Sequence, residues 1–135
     1  MTDSNTPLPS LQEIYDDHRP YRMHRWHHYI PIYERHFARF RDRPIRILEI
    51  GVQYGGGLWM WSQYFHPESK IFGLDISPHC EYPKLPNVQV FIGDQADIKV
   101  LTGCGKTPDE PQYLAVTAAL RTLRVVLNLP FSAAC

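Results

Sequence analysis

The sequence predicts an α/β fold built on a parallel sheet, and three observations support this. Two short, almost continuous apolar runs, 45–50 and 70–75, have the length and β-branched content of strands buried on both faces. The glycine-rich stretch 51–57 follows the first run and leads into residues with helical spacing. Asp75 ends the second run about 20 to 25 residues beyond that stretch. This order predicts a Rossmann-like βαβ unit with a ligand at its glycine-rich turn.

The composition of the 135-residue chain argues against several kinds of partner. Fourteen basic and fourteen acidic residues cancel, so the net charge gives no basis for binding nucleic acid or an anionic membrane. Residues 1–10 lack the apolar core of a signal peptide, which predicts a cytoplasmic protein. Cys80, Cys104 and Cys135 form no Cys-x-x-Cys pair, which suits a reducing compartment better than a disulfide framework or a zinc site.

Residues 1–43 are predicted to form a helical lead-in. Ser10 is a suitable N-cap for a short helix that Pro20 ends. A second helical pattern covers 22–41, where Pro31 is expected to kink the helix or to start a new one. The apolar face of this pattern is interpreted as core and consists of Trp26, Tyr29, Ile30, Tyr33, Phe37 and Phe40.

His24 and His28 have two interpretations. Their four-residue spacing allows one helix face to hold a metal ion. No carboxylate occupies the metalloprotease position between them, however, and histidine is common on half-buried helices. We therefore predict no metal site.

Beyond Asp75 the pattern predicts one more strand. Three prolines make 76–87 an irregular connection, and the alternating residues 88–92 form a third strand. Asp94 and Gln95 follow this strand. We expect them to face the same crevice as Asp75, because parallel strands present their carboxyl ends on one side of a sheet.

After residue 101 the pattern changes. Gly105-Lys106-Thr107 resembles part of a phosphate-binding loop, but Val100 stands where the first glycine of that motif belongs, so we reject this interpretation. The apolar residues between 114 and 127 have helical spacing and predict a helix that ends near Pro130.

The glycine-rich turn distinguishes two cofactor classes. The dinucleotide motif G-x-G-x-x-G needs a glycine where Gln53 stands, so the close approach of a pyrophosphate is disfavoured. S-adenosylmethionine has no phosphate. Its carboxylate would meet free backbone N–H groups near Gly51, its amino group would meet Glu49, and its ribose hydroxyls would meet Asp75. The residues therefore favour a methyl donor over NAD.

Three stretches within 20–101 carry a family resemblance: Glu49-Ile-Gly51-Val-Gln53-Tyr-Gly55-Gly-Gly57, Phe72-Gly-Leu-Asp75-Ile and Phe91-Ile-Gly93-Asp94-Gln95-Ala-Asp97. They resemble the bacterial class I S-adenosylmethionine-dependent methyltransferases related to macrolide sugar O-methyltransferases, a group sometimes labelled cephalosporin hydroxylase-like. The resemblance implies the N-terminal half of a class I methyltransferase fold, with a helical lead-in and an atypical helical tail. It also implies that Tyr29 helps to close the site. The implied cofactor contacts are Glu49 and Gly51 for the methionine part, Gln53 and Gly55 in the turn, Asp75 for the ribose, and Asp94 with Gln95 for the adenine.

The chain departs from that family after Asp97. The family's next strand ends in an acidic stretch, typically Asp-Asp-Gly-Ser-His, that supplies metal ligands and catalytic groups, and nothing here fits it. We therefore predict a cofactor-binding half, 44–101, and an atypical tail, 102–135, as in a truncated or frame-shifted product, and we assign no catalytic residue. A three-stranded sheet with an uncovered inner edge would favour self-association.

Two functions follow from these expectations. The first is O-methyl transfer from S-adenosylmethionine to a small molecule or sugar, weak or absent because the catalytic half is missing. The alternative is a non-catalytic remnant that binds the cofactor or acts as an interaction module.

Overall fold

The structure, a computed structural model, describes residues 7–17, 21–23, 27–97, 99–100, 112–117 and 125–130. Within these residues two helices and a 3₁₀ turn precede the first strand, a third helix links the first two strands, and three more strands follow. Their bounds are α1 Leu11–Asp16, α2 Tyr29–Phe37, a 3₁₀ turn Ala38–Phe40, β1 Arg46–Ile50, α3 Gly56–Tyr64, β2 Lys70–Asp75, β3 Val88–Ile92, β4 Gln112–Thr117 and β5 Val125–Pro130.

The five strands form one sheet with the order β3-β2-β1-β4-β5. β1 pairs in parallel with β2 on one side and with β4 on the other, and β3 continues the parallel arrangement beyond β2. Only β5 is antiparallel to its neighbour. Ile50 pairs with Leu74, and Asp75 pairs with Ile92, so the carboxyl ends of β1, β2 and β3 lie at one edge of the sheet. The predicted α/β fold with a parallel sheet is confirmed.

The start of α1 confirms its sequence signal, whereas the second helix is shorter than the predicted 22–41, because among the described residues only 29–37 is α-helical and 22–23 and 27–28 lie outside it. Ser10 caps α1 through a capping box: its Oγ accepts the N–H of Glu13 at 3.2 Å, and Glu13 Oε2 accepts the N–H of Ser10 at 2.7 Å. α2 begins at Tyr29, which places Pro31 in its first turn, where a missing N–H costs no helical hydrogen bond. Trp26 and His24 lie outside the described residues.

Glu34 and Arg41 fasten the lead-in to α3. Glu34 Oε2 accepts the N–H of Leu11 at 2.7 Å, and its Oε1 accepts the hydroxyl of Tyr64 at 2.9 Å. Arg41 donates to the carbonyl oxygen of Tyr64 at 3.0 Å, and its guanidinium lies 4.1 Å from the centre of the Tyr64 ring. Burial and the bond to Glu34 raise the pKa of Tyr64, so its hydroxyl stays a donor. One side of α3 is thereby held by charged contacts.

The helix predicted from residue 114 to near Pro130 is wrong where the structure describes that stretch, because the chain forms β4 and β5 there. Spacing favours a helix, but residues 113–117 and 125–127 are also rich in the β-branched and aromatic types that strands prefer. The free edge of β1 decides between the two, since β4 satisfies its backbone groups by pairing Ile47 with Leu114 and Ile50 with Thr117. The inner edge of the sheet is therefore covered, and the basis for self-association at that edge is removed.

Both faces of the central strands are buried, as the sequence predicts for β1 and β2. The larger apolar cluster lies between the sheet and the three helices, and the smaller one, on the opposite face, contains Leu48, Phe72 and Leu74. Within the described part of the chain no helix is long and apolar enough to cross a membrane.

Gly73, in β2, lies where α3 and the glycine-rich turn press against the sheet. A Cβ atom here would lie 2.6 Å from Val52 Cγ2, 3.0 Å from Leu58 Cδ1 and 3.2 Å from Val90 Cγ2. The first distance is shorter than a normal carbon contact, so the turn reaches β2 only because Gly73 has no side chain.

We expect Gly73→Ala to lower the free energy of unfolding by about 1 to 3 kcal/mol, the usual cost of overpacking a core. Urea denaturation followed by tryptophan fluorescence measures this. Gln89→Ala, at an exposed position of β3, is the control and should change the value by less than about 0.5 kcal/mol. A Gly73→Ala protein as stable as the wild type would show that the close approach is not required.

Candidate functional site

The turn between β1 and α3 is built from left-handed backbone. Gly51 has a φ of 90° and Gly55 a φ of 78°, values that glycine adopts without strain. Gln53 has a φ of 52°, which is uncommon for a residue with a side chain. Gln53 therefore takes the backbone conformation that a glycine would take at this position, while its side chain fills the space that a glycine would leave open.

The segment that follows β2 covers this turn closely. A Cβ atom at Gly55 would lie 2.6 Å from both the carbonyl oxygen of Glu81 and the Cα of Tyr82, so only glycine fits. The N–H of Glu81 donates to the carbonyl oxygen of Gln53 at 3.0 Å. The predicted irregular connection after β2 is confirmed, and it forms one wall of the crevice at the strand ends.

Asp75 binds the turn from the end of β2. Its Oδ2 accepts the N–H of Val52 at 2.8 Å and the N–H of Gln53 at 2.9 Å, while its Oδ1 accepts the N–H of Ser77 at 2.9 Å. Burial raises the pKa of Asp75, but these bonds and one from Ile76 outweigh it and hold the pKa below its usual value. Asp75 is therefore ionised at neutral pH.

The backbone donors of the turn are already engaged within the chain. The N–H of Gly51 donates to Leu74 at 2.8 Å, that of Gly55 donates to Val52 at 3.0 Å, and that of Gly56 donates to the carbonyl oxygen of Arg22 at 3.2 Å. With Val52 and Gln53 bound to Asp75, the expectation of free N–H groups near Gly51 is wrong. The strand-end acid takes the donors that the sequence assigned to a cofactor carboxylate.

A cavity of about 480 Å³ opens beside Asp75, with the residues Gln53, Tyr54, Asp75, Ser77, His79, Cys80 and Glu81 around it. Of the predicted contacts, Gln53 and Asp75 line it, and Gly51 and Gly55 shape the turn beside it. Sequence reasoning missed the other five lining residues. No local signal marks 77–81 as site residues, because they reach the turn only when the chain folds back from β2.

Asp94 and Gln95 lie at the end of β3, where both are exposed. Asp94 Oδ1 accepts the N–H of Ala96 at 2.8 Å, which makes a local turn. Asp97, interpreted as a turn residue, accepts the N–H of Lys99 at 2.9 Å. Neither Asp94 nor Gln95 lines the cavity, so their predicted contact with adenine remains a prediction.

Glu49 lies at the carboxyl end of β1 but behind the turn. It is 1% exposed, and its Oε2 accepts the indole N–H of Trp61 at 2.6 Å. Trp61 is fully buried among Tyr33, Phe37 and Phe65, so its interpretation as a core residue is confirmed. The sequence did not reveal that the same indole holds the acid of β1.

Tyr29 is the candidate site residue that lies in the lead-in. Tyr29, at the start of α2, is half-buried, with its ring beside those of His28 and Tyr33.

The described residues contain no group of three or more metal-ligating side chains. Burial and the charge of Asp75 raise the pKa of the free Cys80 thiol, which lowers its reactivity. Cys104 and Cys135 lie outside the described residues.

We expect Trp61→Phe to lower the free energy of unfolding by about 1.5 to 3 kcal/mol, because a buried carboxylate loses a hydrogen-bond donor. Trp59→Phe on the same helix is the matched control. Chemical denaturation of Trp61→Phe, Glu49→Gln and the double variant isolates the pair. If the cost of Trp61→Phe were the same in the Glu49→Gln background, the bond would contribute nothing beyond packing.

The pKa of Asp75 predicts a pH dependence of stability. A carboxyl group whose pKa is lowered on folding stabilises the fold above its unfolded pKa, and this stabilisation is lost as the pH falls through the folded pKa. The stability difference between the wild type and Asp75→Asn should therefore shrink as the pH falls from about 7 to about 3. Urea denaturation at each pH measures it, and a difference that does not change with pH would contradict the assignment.

No family model matches the chain. Demethylmacrocin O-methyltransferase from Streptomyces fradiae is 36% identical over 103 residues, which are 70% of this chain and 25% of that protein. A tetracenomycin-C 3'-O-methyltransferase from Streptomyces olivaceus, which acts on the 8-demethyl-8-(2-methoxy-alpha-L-rhamnosyl) compound, is 47% identical over 60 residues, 39% of this chain and 15% of that protein. The chain thus spans a quarter or less of the length of these relatives.

A solved structure agrees with the sequence relatives. The MycE methyltransferase from the mycinamycin biosynthetic pathway, in complex with Mg, SAH and mycinamycin VI, superposes with a TM-score of 0.58 and 34% sequence identity. The match covers 70% of this chain and 27% of that one. Over the segment that it shares with these proteins, the chain is similar in sequence to macrolide sugar O-methyltransferases and has the fold of the N-terminal part of a methyltransferase.

Proposed function

We propose that the chain binds S-adenosylmethionine in the crevice at the ends of β1 and β2. The observation that carries this proposal is the ionised Asp75 carboxylate, oriented by the N–H groups of Val52, Gln53 and Ser77 at the wall of the cavity. Oδ1 of Asp75 accepts from Ser77 and retains acceptor capacity for a hydroxyl group. A carboxylate held in this way suits the two neighbouring hydroxyls of a ribose.

The site fits this cofactor better than it fits a dinucleotide. A cavity of about 480 Å³ lies within the range of about 300 to 1,000 Å³ of small-ligand sites. A pyrophosphate needs free N–H groups and a glycine at the turn, whereas here five turn N–H groups are engaged and Gln53 carries a side chain. A cofactor without phosphate places no pyrophosphate at the turn, so these features affect only its single carboxylate.

The described residues bind and orient the cofactor. S-adenosylmethionine supplies, when bound, an electrophilic methyl group on its sulfonium. Asp75 holds the ribose, and the turn from Gly51 to Gly55 supports the methionine part. Glu49 is 1% exposed, is held by Trp61 and does not line the cavity, so we propose that it meets the amino end through water rather than by direct contact. Asp94 and Gln95 lie near the adenine at the end of β3.

We propose that methyl transfer by this chain is weak or absent. β4 runs parallel to β1 and ends at Thr117, so its end lies at the same edge of the sheet as the proposed site. In the sequence, Ala118 and Ala119 follow Thr117, and the family's acidic stretch is missing. The tail 102–135 therefore contributes sheet structure, whereas 44–101 carries the cofactor site. The acceptor class proposed from the relatives is a small molecule or its sugar, in the cytoplasm.

The second candidate is a non-catalytic module that binds the cofactor or a partner. The same missing acidic stretch favours it. Measurable turnover, however weak, supports the first candidate, whereas no turnover in a folded chain favours the second.

We expect isothermal titration to show S-adenosylmethionine binding by the full chain, and Asp75→Ala to weaken it about tenfold or more, as expected for loss of charged hydrogen bonds. Turnover with sugar acceptors should be weak or undetectable. Asp42→Ala, an exposed acid beside Arg43, is the control and should bind like the wild type. Circular dichroism shows whether each variant is folded.

Three results would contradict this proposal. A folded wild-type chain that does not bind S-adenosylmethionine would refute the cofactor site. Unchanged binding by a folded Asp75→Ala would refute the role of Asp75. Robust turnover would refute the claim that the catalytic groups are missing.

A further inference from the structure

The acidic character of the cavity raises a question about one end of the cofactor. Asp75 and Glu81 both line it, and no arginine or lysine is among the lining residues. The amino group and the sulfonium are cations and suit this lining, but the carboxylate of the methionine part is repelled by it. Five N–H groups of the turn are engaged: those of Val52 and Gln53 by Asp75, and those of Gly51, Gly55 and Gly56 by carbonyl oxygens.

We propose that Arg22 is the cation that binds the carboxylate of the methionine part. This inference rests on the proposed function and adds a residue to it that lies in the lead-in, outside the glycine-rich turn and the strand ends. The guanidinium would pair with both carboxylate oxygens through two parallel N–H donors, a geometry that arginine provides and lysine does not.

Two contacts place Arg22 at the turn. Its carbonyl oxygen accepts the N–H of Gly56 at 3.2 Å, and a Cβ atom at Gly56 would collide with that oxygen, so the backbone of Arg22 lies against the start of α3. Its guanidinium carbon lies 5.9 Å from the centre of the Tyr54 ring, and Tyr54 lines the cavity. The residue is anchored by its main chain at the start of α3, and its guanidinium lies beside Tyr54, one of the cavity residues.

The side chain of Arg22 can reorient at little cost. It is exposed, and a cation resting on an exposed ring contributes only about 0.5 to 1 kcal/mol. Its main-chain bond to Gly56 does not depend on where the guanidinium points. A bound carboxylate can therefore draw the charge inward without breaking the contact that anchors Arg22.

Lys84 is a second cation in the segment that follows β2. Its ammonium lies 3.3 Å from the centre of the Tyr82 ring, which is not among the cavity residues. Lys84 also follows β2 in the chain, on the side where Asp75 is proposed to hold the ribose. The methionine part extends the other way, toward the turn and the start of α3, and Arg22 lies there.

The test compares two ligands that differ in the amino-acid part. S-adenosylhomocysteine carries it, whereas 5'-methylthioadenosine has the same adenosine and a thioether sulfur but no carboxylate or amino group. We expect Arg22→Gln to weaken S-adenosylhomocysteine binding about tenfold or more in isothermal titration, and to leave 5'-methylthioadenosine binding unchanged. Arg22→Lys should fall between, because it keeps the charge and loses the paired donors. Arg39→Gln, an exposed arginine resting on Phe40, is the matched control.

Each outcome of the titrations supports or contradicts the contact between Arg22 and the carboxylate. Selective loss for S-adenosylhomocysteine supports a contact with the carboxylate, since removing a cation would not weaken binding of the amino group. No loss for either ligand overturns the inference, and so does an equal loss for both, which would mean that Arg22 only supports the turn. A wild-type chain that binds neither ligand overturns the proposed function itself, whereas wild-type binding of both with no effect of Arg22→Gln overturns this inference alone.

Discussion

The geometry of the site depends on one charged group, the carboxylate of Asp75, which accepts hydrogen bonds from the backbone N–H groups of Val52 and Gln53. This carboxylate joins the end of β2 to the turn after β1, so the two neighbouring strand ends are held in a fixed position relative to each other. It also offsets part of the cost of the left-handed Gln53, because a strained backbone persists only where its surroundings hold it. With the turn held, α3 starts at a fixed position.

The buried side of the turn is held by a second set of charged groups. Glu49 at the end of β1 is bonded to Trp61 in α3, and Tyr64, one helical turn further, is bonded to Glu34 of the lead-in. Strand, helix and lead-in are therefore joined by groups that are costly to leave unpaired, in addition to their apolar contacts. The lead-in thus forms part of the support of the site, and this explains why Arg22 lies beside Gly56.

Most of the central fold could be predicted from the sequence, because local pattern and tertiary structure agree there. β2 and β3 have the predicted bounds, and the turn lies where the glycines are. The tail could not be predicted, because residues such as Leu114 and Val126 satisfy a helical spacing and a strand equally well, and only the free edge of β1 decides. The residues 77–81 were missed for a similar reason, since their nearness to the turn arises from the fold and leaves no trace in local spacing.

The engaged turn also changes the electrostatic argument for the cofactor. A glycine-rich turn usually attracts anions through its free N–H groups, but here Asp75 supplies the anion and neutralises that attraction. With Glu81 also lining it, the cavity repels a pyrophosphate and attracts a cation such as a sulfonium or an amino group. The turn that resembles a nucleotide site in sequence therefore favours, by its charge, a methyl donor over a dinucleotide. The carboxylate of that donor must be bound by a residue outside the turn, and we propose Arg22 for this role.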